Sequence, residues 1–178
     1  GSAGDLFGIS VSSAGDVNND GYADVIVGAN GDSLSGSARV LSGLNGAILY
    51  TFNGDSAVDY FGYSVSLSGD RALVGAYQDD DNGFDSGSAY VYDYDGTVWA
   101  KTSTITGEGI SYWSGFSVTI NSTGNVVAFG SPKDDASGTD RGSVVIYRQQ
   151  LSEWVKIGTL YGELVDDNSG WSIALNSL

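Results

Sequence analysis

The chain reads as short runs of strand-forming residues divided by turns of Gly, Asp, Asn and Ser. One run, Val25-Ile26-Val27, is apolar and β-branched and predicts a buried strand. The runs recur in step. Gly8-Ile9-Ser10-Val11-Ser12 returns as Gly62-Tyr63-Ser64-Val65-Ser66, as Gly115-Phe116-Ser117-Val118-Thr119 and as Gly170-Trp171-Ser172-Ile173-Ala174, at spacings of 54, 53 and 55 residues. A second segment repeats in the same phase as Val27-Gly28-Ala29, Val74-Gly75-Ala76 and Phe129-Gly130-Ser131. A third begins at Gly36-Ser37, Gly87-Ser88 and Gly142-Ser143, and a looser fourth covers 49–54, 103–107 and 158–162.

Four strands per unit of this length is the size of one β-propeller blade. The predicted fold is therefore all-β. Its single domain, 1–178, holds three four-stranded blades at about 5–54, 59–107 and 113–162, with the start of a fourth at about 166–178. Gly at the start of each first strand would let backbones approach where blades crowd around the axis. Phe7, Val11, Ile26, Val40, Val65, Leu73, Val91, Val118, Phe129 and Val145 are expected to fill the layers between blades.

The departures from the repeat carry the candidate chemistry. Gly8 to Gly28 takes 20 residues, whereas Gly62 to Gly75 takes 13 and Gly115 to Gly130 takes 15. The excess is the loop from Asp16 to Asp24. It places Asp16, Asn18, Asp20 and Asp24 at relative positions 1, 3, 5 and 9, with Gly21 permitting a sharp turn at position 6. The Tyr22 carbonyl can add a further oxygen. An all-oxygen, flexible cage suits a hard cation of calcium size, and Ca2+ is the expected cofactor. An EF-hand needs Glu at position 12, but Val27 stands there, and a strand rather than a helix follows. A polar Asx turn without metal is the plain alternative.

A calcium loop that runs directly into a strand resembles the calcium-binding β-hairpin of FG-GAP repeats, found in integrin α-subunit propellers. Phe7-Gly8 and Phe61-Gly62 match the FG of that pattern, Gly28-Ala29 and Gly75-Ala76 begin its GAP, and Gly130-Ser131-Pro132 is a variant. The resemblance covers essentially the whole chain. It implies an extracellular or cell-surface module for adhesion or protein–protein contact, stabilised by calcium and not catalytic. The partner would be a protein or glycan ligand on a cell surface, or copies of the chain itself. The family's propellers usually close with about seven blades. A structural subunit of an extracellular filament or surface layer is the alternative, and an enzyme acting on polysaccharide comes third.

Composition narrows the field. The net charge of −15, from 22 acidic and 7 basic residues, argues against nucleic acid and anionic membrane surfaces as partners. No apolar run is long enough for a membrane-inserted helix. There is no His and no Cys, which removes His-based triads, His general bases, thiolate chemistry and disulfides. Carboxylate pairs remain open to a glycosidase, but the acidic residues sit in turns. Among these turns, Asp79, Asp81 and Asp85 form a candidate second cation site, with solvated turn residues as the alternative; Asp134, Asp135 and Asp140 are a weaker one. Asn121-Ser122-Thr123 is a glycosylation sequon on an expected exposed turn.

The chain also lacks Met, which leads us to expect a processed or truncated piece of a longer protein, or a protomer of an oligomer. Three blades in an arc would leave two apolar end faces bare.

Overall fold

The computed structural model of the chain describes residues 3–176, and among these it is all-β with no helix. Blade 1 comprises β1 (Ser10–Gly15), β2 (Asp24–Ala29), β3 (Ser37–Leu41) and β4 (Ile48–Asn53). Blade 2 comprises β5 (Ser64–Ser68), β6 (Arg71–Ala76), β7 (Ser88–Tyr94) and β8 (Trp99–Thr106). Blade 3 comprises β9 (Ser117–Ile120), β10 (Val126–Ser131), β11 (Ser143–Gln150) and β12 (Glu153–Tyr161). Each is a separate antiparallel meander with its strands in sequence order.

The internal repeat is visible in the register. Val11 lies opposite Val27, Val65 opposite Val74 and Val118 opposite Phe129. A shift of register recurs in phase between the third and fourth strands of every blade, at Val40/Leu41, Val91/Tyr92 and Ile146/Tyr147. Such a bulge adds local twist, which each outer strand here takes at the same point.

Adjacent blades meet through their first strands and through one parallel bridge each, Gly36 to Phe61 and Gly87 to Ser114, with Gly142 to Ser169 continuing the series. Where blades 2 and 3 approach, a Cβ on Gly75 would stand 2.1 Å from the Gly115 carbonyl oxygen, so only glycine fits. That carbonyl accepts a hydrogen bond from the Ser64 hydroxyl at 2.7 Å; the Gly62 and Gly170 carbonyls accept likewise from Ser10 at 3.0 Å and Ser117 at 2.7 Å. The serines that repeat beside the glycines thus stitch each blade to the next.

Two apolar layers follow. Ile26, Ala38, Val40 and Phe52 of blade 1 pack on Phe61, Val65, Leu67, Val74, Tyr90, Tyr92 and Trp99 of blade 2. Leu73, Val91 and Ile105 of blade 2 pack on Val118, Ile120, Val127, Phe129 and Val145 of blade 3.

The expected layer residues Phe7 and Val11 do not lie in such a layer. Val11 is 67 % exposed, whereas its counterparts Val65 and Val118 are 7 % and 8 % exposed, because blade 1 has no described neighbour on that side. At the other end Leu160 is exposed while its counterparts Phe52 and Ile105 are buried. Both end faces are bare among the described residues, as expected from the repeat.

Residues 170–176 hold the turn of a fourth unit but form no strand, since no second strand lies beside them to pair with. Ser177 and Leu178, included in that expected unit, lie outside the described residues.

Candidate metal centre

The loop between β1 and β2 is held by its own polar groups. Asp16 accepts hydrogen bonds from the Asp20 N–H at 3.0 Å and the Gly21 N–H at 2.8 Å. The Asn18 amide oxygen accepts from the same Asp20 N–H at 3.1 Å, which brings Asp16 and Asn18 together. Asn18 Nδ2 donates to Asp20 at 2.9 Å and holds that carboxyl below its usual pKa; the Tyr22 N–H also donates to Asp20. Gly21 has φ +88°, the left-handed turn that glycine takes without strain.

Asp24 differs from the other three. It is fully buried and serves as the anchor of the loop, accepting from the Val17 N–H at 2.8 Å and the Gly43 N–H at 3.0 Å. Gly43 belongs to the turn between β3 and β4. In that turn Ser42 also reaches the loop, donating from Oγ to Asp20 at 3.2 Å. This second hairpin escapes a reading of the loop alone, because its partners lie about twenty residues away and no local spacing marks them.

Among the described residues, no three acidic side chains stand together as a ready-made metal cluster. The donor set nevertheless suits a hard cation. Asp16, Asn18 and Asp20 share one turn, and a carboxylate oxygen that accepts one N–H keeps a lone pair for a metal. No Lys or Arg lies within the loop.

The second candidate loop, between β6 and β7, is arranged otherwise. Asp79 is buried; it accepts from the Tyr90 hydroxyl and from the Asp81 N–H at 2.8 Å. Asp85 accepts from Gln78 at 3.1 Å, and the Asp81 side chain is exposed. The structure does not draw the three carboxylates to one point. Asp134 occupies the same place in blade 3, accepting from Ser143 and from the Ala136 N–H, while Asp140 pairs with Lys133.

The matching residue in blade 1 is Asp32, held at low pKa chiefly by the Ser37 hydroxyl and also paired with Arg39. Asp32, Asp79 and Asp134 each lie four residues after the Gly of Gly28, Gly75 and Gly130. They are a repeating hub of the turn: in each, the backbone oxygen accepts from the Gly that opens the third strand. The in-phase Asp was visible in the sequence, and its regularity is the signal that separates a structural turn residue from a ligand.

Two further features were not anticipated. Asp59 is buried beside Asp79, Asp80, Asp81 and Asp55; burial first, and then these charges, push its pKa up to about 6. At the strand ends opposite the Asp16–Asp24 loop, aromatic rings form a continuous row. Tyr60 stacks on Tyr77 at 5.4 Å, Tyr77 meets Trp113 edge-on at 5.5 Å, Trp113 stacks on Phe116 at 6.2 Å, and Phe116 meets Trp171 at 4.6 Å. Asn121 lies on its turn as expected. Its Nδ2, the atom a glycan would take, donates to Thr123 and Asn125.

The same repeats are found in known proteins. The FG-GAP repeat pattern matches residues 7–41, and a second FG-GAP repeat pattern matches residues 53–92. The chain is an FG-GAP propeller of the integrin-α-like kind. It is 31% identical over 163 residues to integrin alpha-5 of Xenopus laevis, covering 81% of this chain and 15% of that protein. The FG-GAP chain therefore spans a small part of its relative's length. A propeller described as the Dos1 propeller is similar in fold alone, with TM-score 0.52 at 13% identity, over 84% of this chain and 33% of that one.

Proposed function

We propose that this FG-GAP segment works as a non-catalytic module for adhesion or protein–protein contact outside the cell, and that the loop from Asp16 to Asp24 binds structural calcium. What supports the reading is the coincidence of in-phase FG-GAP blades with a loop in which Asp16, Asn18 and Asp20 are joined by shared hydrogen bonds. Asp16, Asn18, Asp20, Asp24 and the Tyr22 carbonyl would hold the ion. When bound, calcium supplies positive charge that offsets the mutual repulsion of three carboxylates. The half-buried Tyr and Trp row supplies rigid, amphipathic contact area of the kind enriched at protein interfaces.

A second reading, a subunit of a filament or surface layer, is favoured by the two bare end faces, which are apolar and would need a cover. Both readings are tested by coating a surface with the protein and plating cells in calcium and in chelator. The adhesion reading expects attachment that needs calcium and falls in a Tyr77→Ala/Trp113→Ala double variant. Attachment no better than on an inert protein, together with ordered fibres by electron microscopy, would favour the second reading.

A further inference from the structure

Val17 sits between two of the proposed ligands, Asp16 and Asn18, yet its side chain does not belong to the cation loop. It packs instead on the apolar layer between blades 1 and 2, beside Leu49, Tyr50 and Tyr94. With Leu49, Tyr50, Tyr94, Thr97 and Trp99 it lines a recess of about 150 Å³. Tyr94 and Trp99 are stacked there at 5.1 Å, and Tyr50 donates from its hydroxyl to the Trp99 carbonyl at 3.3 Å. Tyr94 and Trp99 flank the β7–β8 turn of the next blade, some eighty residues along the chain. The backbone of Val17 is fixed from the other side, since its N–H donates to buried Asp24.

One residue therefore has its main chain tied to a proposed ligand and its side chain packed on the layer shared with the neighbouring blade. We propose that cation occupancy of the loop is transmitted through Val17 to the junction of blades 1 and 2, so that the ion locks the β7–β8 turn of blade 2 as well as its own hairpin. This rests on the calcium reading of the loop. The physical basis is a difference between two states. Without a cation the charges of Asp16, Asp20 and Asp24 are uncompensated, which loosens the loop and with it the packing of Val17. With the charge neutralised, Asp24 holds the Val17 N–H in place and the side chain stays packed on the layer, beside the recess that Tyr94 and Trp99 also line. A cation can favour the seated state only by as much as it binds that state better.

Hydrogen exchange of the full chain, with Ca2+ added and with chelator, tests the proposal beside direct calcium titration. In the wild type, calcium should slow exchange of amides 94–99 about tenfold, a share of the stabilisation available to a saturating ligand. The blade 3 turn at 121–126 should not change. Val17→Ala retains every proposed ligand oxygen and should still bind calcium, weaker by no more than the coupling factor, while the slowing at 94–99 disappears. Calcium binding with no change at 94–99, or slowing that survives Val17→Ala, would overturn the lock and leave the calcium reading intact. No calcium binding by the wild type would overturn both.

Discussion

The same topological position, between the first and second strands of a blade, is filled in three ways. Blade 2 turns in two residues, Gly69 and Asp70, with Ser68 paired to Arg71 across the hairpin. Blade 3 uses a short turn closed by Asn121, whose amide oxygen accepts from the Asn125 and Val126 N–H groups. Blade 1 spends the residues from Asp16 to Ala23 and buries Asp24 to hold them. A meander of this kind thus needs only two residues here. The longer acidic loop is surplus to forming the blade, and that surplus is the physical ground for the calcium proposal. The position matched to Asp24 makes the contrast sharper. In blade 2 it is Arg71, which reaches the Gly124 carbonyl and Gln149 of blade 3 at 2.7 Å and lies over Trp154. Blade 2 is joined to its neighbour there by side-chain bonds, whereas blade 1 has Val17 in the seam.

The largest effect should come from the shared frame. Gly75→Ala would drive a Cβ into the Gly115 carbonyl and should cost more than about 3 kcal/mol, seen as loss of the cooperative thermal transition. Gly158→Ala meets open space and should be nearly neutral. If both are tolerated, the blades are not packed as closely as described. Next comes the unshared loop. Calcium at about 100 times its dissociation constant should add about 2.7 kcal/mol, and Asp20→Ala should remove most of that increment without changing the melting of the metal-free protein by a comparable amount. Melting that ignores chelator would reduce the loop to an ordinary connection.

A smaller effect separates the in-phase turns of blades 2 and 3. Tyr90→Phe deprives Asp79 of its hydroxyl donor. Nearby Ser88 has a buried hydroxyl with no partner and stands where Ser143 serves Asp134, so the cost should be about 1 kcal/mol by denaturant titration. Removing both, in Tyr90→Phe/Ser88→Ala, should cost more than the sum of the single changes.

The smallest effect is that of Asp59. Its folded pKa of about 6 lies above the usual 3.8, so its contribution to stability is fully present below pH 4 and is lost as pH rises through 6. Asp59→Asn should therefore stabilise the protein at pH 8 and not at pH 4. The gain at pH 8 should be under about 1 kcal/mol, since water screens much of the repulsion.

Much of this was legible in the sequence because propeller blades are local. The phase of Gly8, Gly62 and Gly115 marked the strands, and the excess length before Gly28 marked the loop. What was not legible depends on contacts between separate hairpins. Ser42 and Gly43 join the loop from another turn, and nothing in their own spacing announces it. Asp79 carries the same charge as Asp20, and only the fold reveals that one faces Tyr90 and the other stays in the loop with Asn18. Phe7 and Val11 fit the apolar pattern of the layers, but a layer needs a blade on each side, and pattern alone does not say which faces are covered.

Titration calorimetry with Ca2+, on the wild type and on Asp16→Ala/Asp20→Ala, decides whether the loop between β1 and β2 holds calcium. A saturable calcium signal is expected in the wild type, with a dissociation constant of about 10⁻⁴ M or weaker, the range of extracellular modules, and its loss in a double variant whose β-sheet circular dichroism is unchanged. Absence of the signal in the wild type, or its persistence in the folded double variant, would contradict calcium binding by the loop.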